Sequence, residues 1–259
     1  MTAQKTFAFT EDQAAGSGSD LRLVRSLRVL NLFAGLGGNR KDWQNVEVTS
    51  VEMEPDIAEI YKRQHPQDTL VIGDAHAYLL EHHEEFDLIW TSPPCQTHSK
   101  MAKATRHKRR RYPDMMLYQQ IIFLQHFFKG AWVVENVTPY YEPLIQPQKV
   151  GRHCFWSNFP ITAQEVKQPK GFITGTNVAA KLALQEWLGI HYPENIYYGT
   201  NHCPAQILRN CVHPKVGSQV MDSARQFLAN ANVEASPEHA PKINQEAGSA
   251  SPPTDCSPS

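Results

Sequence analysis

Cys95 follows two prolines in the run Ser92-Pro93-Pro94-Cys95-Gln96. Proline fixes its own φ and offers no amide donor, so the thiol is predicted to sit on a rigid bend rather than in a helix. A thiol so placed is a candidate nucleophile, and nearby positive charge favours the thiolate that attacks. Lys100, Lys103, Arg106, Lys108, Arg109, Arg110 and Arg111 follow closely. That run reads either as a solvated loop or as a contact for a phosphate-bearing substrate. Glu135-Asn136 closes the apolar run AWVVENV. A carboxylate emerging there is either a surface acid or a partly desolvated one, whose raised pKa lets it hold or hand over a proton. Thiol and acid together suit attack on a single planar substrate.

A second group could hold a cofactor. In Phe33-Ala34-Gly35-Leu36-Gly37-Gly38 the glycines let backbone approach a ligand, or let a helix pack closely. The turn departs from G-x-G-x-x-G and no G-K-[ST] follows, which disfavours phosphate cradling. Glu52 either accepts ribose hydroxyls or opens a helix together with Glu54 and Asp56.

These residues stand where β-branched runs end. LRVLNLF, VEVTSVE, TLVIGD, FDLIWTS and AWVVENV alternate with helical patterns such as PDIAEIYKRQ and DMMLYQQIIFLQHFF, the latter capped by Asp114. The alternation predicts an α/β, Rossmann-like fold with a mostly parallel sheet, in which five strand ends face one cleft. The pattern divides the chain into a flexible segment 1–26, a catalytic domain 27–160 and a small region 161–214. A returning helix 215–231 and a disordered tail 232–259 complete it. In 161–214 the aromatics Phe172, Trp187, Tyr192, Tyr197 and Tyr198 read mainly as core, with Lys181 and Arg209 as candidate nucleic-acid contacts.

Composition limits the classes further. The chain has 259 residues, 41% apolar, with 25 basic against 26 acidic side chains, so polyanion binding must come from local clustering. No apolar run approaches the roughly 18 residues of a membrane span. The N-terminal residues do not read as a secretory signal, and a cytoplasmic location is expected. Five scattered cysteines argue against a disulfide framework, and the His153-Cys154, His202-Cys203, Cys211 and His213 group lacks paired zinc spacing. No metal is expected.

In order and spacing, Phe33–Gly38, Glu52, Gly73-Asp74, Pro93-Pro94-Cys95-Gln96 and Glu135-Asn136-Val137 resemble the AdoMet-dependent DNA cytosine-5 methyltransferases, of the small prokaryotic or viral type. The resemblance covers about residues 28–160 and resumes near Val216. It implies S-adenosyl-L-methionine (AdoMet) as cofactor, with Phe33 stacked on adenine and Gly35 and Gly37 beside the methionine portion. Glu52 would take the ribose and Asp74 the adenine amine, with Pro94, Ser218 and Val220 also lining the cofactor. It implies that Cys95 attacks C6 of a flipped-out cytosine in double-stranded DNA while Glu135 binds N3 and the exocyclic amine. Arg152 would assist, and Gln96, Ser99, Arg106, Arg109 and Asn136 would contact the substrate.

Two departures stand out. The family's R-x-R reads Gly151-Arg152-His153 here, and its Gly-Asn pair reads Gly217-Ser218, which leaves an altered sulfonium donor open. The region 161–214 would serve target recognition over a short site. A monomer acting on DNA, in a restriction-modification setting, is expected. The alternatives are a tRNA cytosine-5 methyltransferase and a non-catalytic module of the same fold that binds DNA or protein.

Overall fold

A computed structural model describes residues 25–100, 112–197 and 202–234, with side chains only to Ala231 in the last stretch. The N-terminal segment, most of the tail, Tyr198, and Arg106 and Arg109 with the rest of 101–111 lie outside the described residues.

Seven strands form one sheet: β1 (Leu27–Leu32), β2 (Val46–Glu52), β3 (Thr69–Ile72), β4 (Leu88–Thr91), β5 (Ala131–Val137), β6 (Gln148–Val150) and β7 (His153–Ser157). Their order is β3-β2-β1-β4-β5-β7-β6. The first five strands are mutually parallel, and β7 runs antiparallel to both β5 and β6. The fold is therefore α/β with a mostly parallel sheet, as the alternating pattern predicts. β6 and β7 escape local reading because they are short and their pairing, with Glu135 opposite Phe155, joins residues far apart in sequence.

The central strands bury both faces, as parallel sheets require. On one face Val29, Trp90, Val133 and Phe155 meet Val216, Val220 and Ala224 of α6 (Pro214–Glu234). On the other, Leu30, Leu32, Ile89 and Val134 meet α2 (Ala75–His82) and α3 (Met116–Phe127) through Leu79, Leu117, Ile121 and Leu124. Helix α6 begins at Pro214, six residues before the first apolar position of the VMDSARQFLAN pattern. Asp114 accepts from the amide of Met116 at 3.0 Å, but it stands one residue before the N-cap, Met115, which makes no side-chain capping bond, so the expected cap is displaced by one residue.

Helix α1 (Pro55–Gln64) starts on a proline and buries Ile57, Ile60 and Tyr61. Ile57 and Ile60 join Leu36 of the glycine turn in a third cluster with α4 (Val178–Leu188) and α5 (Gln206–Arg209), which supply Leu184, Leu188, Ile207 and Leu208. Residues 161–214 are thus packed against the glycine turn and α1 rather than standing apart.

A buried polar chain braces the turn from below. Arg40 binds Asp68 through Nε and Nη2 at 2.9 and 2.8 Å. The Tyr61 hydroxyl donates to Asp68 at 2.6 Å and lies 2.5 Å from Ser50 Oγ. Both members of the ion pair are at most 4% exposed. Truncating one partner of a buried pair strands the other charge, so Arg40→Ala is expected to cost about 3–5 kcal/mol. Urea unfolding, with the midpoint compared to wild type, checks this.

Candidate active site

All five parallel strands end in one crevice. Phe33, Gly35 and Leu36 follow β1; Glu52, Met53 and Glu54 close β2; Gly73 follows β3; Ser92 to Gln96 follow β4; and Glu135, Asn136 and Val137 end β5. Arg152 and His153 complete the wall from β7 and the turn before it, and Ile207, Arg209 and Cys211 from the region 161–214. The crevice encloses about 1170 Å³, its open mouth included.

The glycine turn adopts strained backbone. Phe33 has φ 55° despite its side chain, and Gly35 and Gly37 have φ 55° and 74°. Left-handed backbone at a non-glycine residue costs of order 1–3 kcal/mol and marks positions held for a purpose. Nothing lies within 4 Å of a Cβ built on Gly35, which lines the crevice, so that glycine keeps open the space a ligand would fill. A Cβ on Gly37 would meet His65 and Tyr61 instead. Gly37 therefore serves the packing of α1 and is not on the wall. His65, beneath it, is held neutral by burial and by Arg40, its pKa lowered to about 4.

Glu52 already accepts three backbone amides: Gly35 at 2.8 Å on Oε2, with Met53 and Glu54 at 2.9 and 3.0 Å on Oε1. A carboxylate offers about four acceptor sites, which leaves room for one ligand hydroxyl before an amide must be released. These features fit a nucleoside cofactor such as AdoMet: an open glycine wall, a partly engaged acid, and the ring of Phe33 on the same side. Asp74 differs from expectation. It is exposed, it caps α2 by accepting from Ala77 at 2.8 Å, and only its neighbours Gly73 and Ala75 reach the wall.

Ser218 and Val220 are not on the wall either, because α6 turns Val220 into the core beneath the sheet. Gly217 packs directly on the backbone of Asn39, which does line the crevice, and Trp43 donates to the Gly217 carbonyl at 3.1 Å. The helix therefore reaches the crevice through Asn39.

Cys95, half-buried, heads a turn in which its carbonyl accepts from His98 and Ser99. Asn136 holds the proline bend by donating to the Pro93 carbonyl at 3.0 Å, so it braces the loop as well as lining the crevice. Ser99 lies off the wall, bridged to Pro139. Thr97 and Asp114, on either side of the basic run, are joined by a 3.0 Å hydrogen bond.

The thiol is not the ready thiolate that a basic neighbourhood would make. Burial, then Glu135, pushes it up to about 11, against an opposing pull from Arg152. Cys95 should accordingly be alkylated slowly by iodoacetamide at neutral pH. The rate should climb about tenfold per pH unit from about pH 7 toward the midpoint. Glu135→Gln should move that midpoint down and Arg152→Ala should move it up, read by peptide mass spectrometry.

Arg152 donates from Nη2 to the Arg209 and Cys211 carbonyls, at 2.6 and 3.3 Å, and lies 4.9 Å from the Phe172 ring. It ties the wall to the region 161–214. Arg209 and Lys181 are not free for nucleic acid. Arg209 is buried and donates to the Phe172 and Gly175 carbonyls. The Lys181 ammonium donates to the Pro193 and Glu194 carbonyls, at 3.1 and 2.5 Å. Phe172 and Tyr192 are core, whereas Tyr197 is half exposed.

In sequence, His153 stands only as a departure from R-x-R and as one of a His/Cys set expected to be mostly core or surface. Among the described residues no group of three or more His, Cys, Asp or Glu could hold a metal. His153 Nδ1 instead lies 2.6 Å from Glu135 Oε1. The signal that could have found it is the β5–β7 register, which sets residue 153 diagonally across from Glu135.

Residues 27–143 match the family model of C-5 cytosine-specific DNA methylases. No curated protein matches the chain. Among solved structures, the Entamoeba histolytica methyltransferase EhMeth is 14% identical, over 78% of this chain and 99% of its own, with a TM-score of 0.47. A DNMT2 mutant of Spodoptera frugiperda is 22% identical over 43% of this chain and 36% of its own, at 0.32. A SAM dependent methyltransferase of Agrobacterium tumefaciens is 16% identical over 46% and 41%, at 0.33. Likenesses of this depth assign no activity. Among the described residues no helix is long and apolar enough to cross a membrane.

Proposed function

We propose that this chain, whose residues 27–143 match the family model of C-5 cytosine-specific DNA methylases, is a DNA (cytosine-5-)-methyltransferase that moves a methyl group from AdoMet to C5 of cytosine in duplex DNA. The observation that carries this reading is the single crevice in which the strained glycine turn, Cys95, Glu135 and Arg152 meet.

AdoMet, when bound, supplies an electrophilic methyl group on sulfonium. Phe33, Gly35 and Glu52 hold it at the β1–β2 end, with Pro94 closing that side. The target cytosine must leave the stack to reach a thiol set this deep. Cys95 gives its proton to solvent and its thiolate forms a bond to C6 as the C5–C6 double bond opens, which makes C5 nucleophilic. Glu135 gives a proton to N3 as charge builds there, and Arg152 keeps that corner of the crevice positive. Loss of the C5 proton to solvent, return of the N3 proton to Glu135 and expulsion of the thiolate restore the aromatic ring. The region 161–214 and the basic run from Lys100 to Arg111, with Arg106 and Arg109, are assigned to the duplex.

Methyl transfer from labelled AdoMet, offered to duplex DNA and to tRNA in parallel, tests the substrate. Label in DNA is expected, and label in tRNA alone would overturn the DNA assignment. Bisulfite sequencing of plasmid DNA from expressing cells then gives the recognised site.

A further inference from the structure

A second, smaller cleft adjoins the crevice, and its lining includes Arg152, His153, Glu165, Trp187 and His213. His153 and Arg152 line both spaces. His153 and Glu135 are almost fully enclosed, with side chains 10% and 7% exposed, and Nδ1 meets Oε1 at 2.6 Å. Among the described residues the hydrogen bond of the His153 ring is the one at Nδ1, and Nε2 is not one of the buried atoms left without a partner. Glu165, exposed at the second cleft, folds over Gly151, where a Cβ would lie 2.7 Å from its carboxyl carbon.

We infer that His153 is a positioning residue that passes a proton between Glu135 and the second cleft while the main crevice is covered by substrate. The inference rests on the function proposed above. When Glu135 protonates N3, the Nδ1–H of His153 moves to Oε1 and Nε2 takes up a proton from the cleft side. On expulsion of the thiolate, N3 returns its proton to Glu135 and the sequence reverses. One proton is lent and recovered per turnover, and the C5 proton is not assigned to this path.

The other groups facing the pair are already committed or cannot serve. Cys95, Cys154 and Cys211 are held as thiols by burial, Cys211 up to about 12. Arg152 is a guanidinium held by the Arg209 and Cys211 carbonyls. His213 accepts from the Lys215 amide at Nδ1 and gives its Nε2–H to the Trp187 carbonyl, both at 3.1 Å, so it has no free nitrogen. Glu165 remains as the acid that exchanges with bulk water.

The test compares wild type with His153→Gln and His153→Ala in single-turnover methylation of duplex DNA, with AdoMet affinity measured alongside. Gln can still donate to Glu135 but cannot relay. Its rate is expected to fall about 10²-fold with AdoMet affinity unchanged. Added imidazoles should restore His153→Ala, more so as their basicity nears that of the working pH. Full activity of His153→Gln, or no rescue of a folded, AdoMet-binding His153→Ala, overturns the relay. In wild type, 15N histidine NMR should show His153 protonated at Nδ1 in the free enzyme and at Nε2 in the covalent complex with 5-fluorocytosine DNA. A ring locked in one tautomer throughout overturns the relay even if both variants misfold. A wild type that methylates neither DNA nor tRNA removes the functional reading itself, whereas an active wild type with an equally active His153→Gln removes only the relay.

Discussion

Cys95→Ser is expected to abolish the covalent complex that wild type forms with duplex DNA carrying 5-fluorocytosine. Fluorine at C5 cannot leave as a proton does, so an enzyme that has attacked C6 and transferred its methyl group stays attached, and the adduct survives denaturing electrophoresis. Serine keeps the size and the turn, because the carbonyl of residue 95 still accepts from His98 and Ser99. It loses the nucleophile, since an alkoxide is far harder to form than a thiolate in a pocket that already pushes a thiol to about 11. Turnover should drop on the order of a thousandfold or more, as for other lost nucleophiles. Equal trapping by the variant would remove Cys95 from the chemistry.

The second large effect belongs to Glu135. Glu135→Gln should keep AdoMet affinity within about twofold and lower turnover about 10²–10³-fold, because an amide has no proton to give N3. The separation follows from the layout: Phe33, Gly35 and Glu52 stand at the β1–β2 side, and Glu135 stands beyond β4 on β5. Calorimetry of cofactor binding beside single-turnover rates reads both. Lost cofactor binding would place Glu135 in the wrong half of the crevice.

The half of the site nearest the parallel strands was legible because strand ends can be read locally. A β-branched run followed by glycine, acid or Pro-Pro-Cys locates the residue and, in a parallel sheet, its side of the molecule. Phe33, Glu52, Cys95 and Glu135 all reached the crevice for that reason. Where the residue's own neighbourhood competes, sequence was silent. Asp74 looks like another strand-end ligand, yet its carboxylate is used by the first turn of α2. Gly37 looks like part of the cofactor wall, yet its missing side chain makes room for His65. His153 could not be found locally, because its partner lies across an antiparallel pairing between distant segments. Arg209 and Lys181 show the converse: basic side chains in a polar stretch, drawn inward by carbonyls that only the folded loops present.

The shared packing of Leu36, Ile57 and Ile60 with Leu184, Leu188 and Leu208 carries a consequence for evolution and for engineering. On the proposed function, a region 161–214 that selects the target while leaning on a glycine turn that holds the methyl donor cannot be exchanged as an independent cassette. A graft from a relative would need the matching face of the first helix as well. Selection for a new site would then be constrained by donor affinity, so altered specificity and altered donor binding should be inherited together.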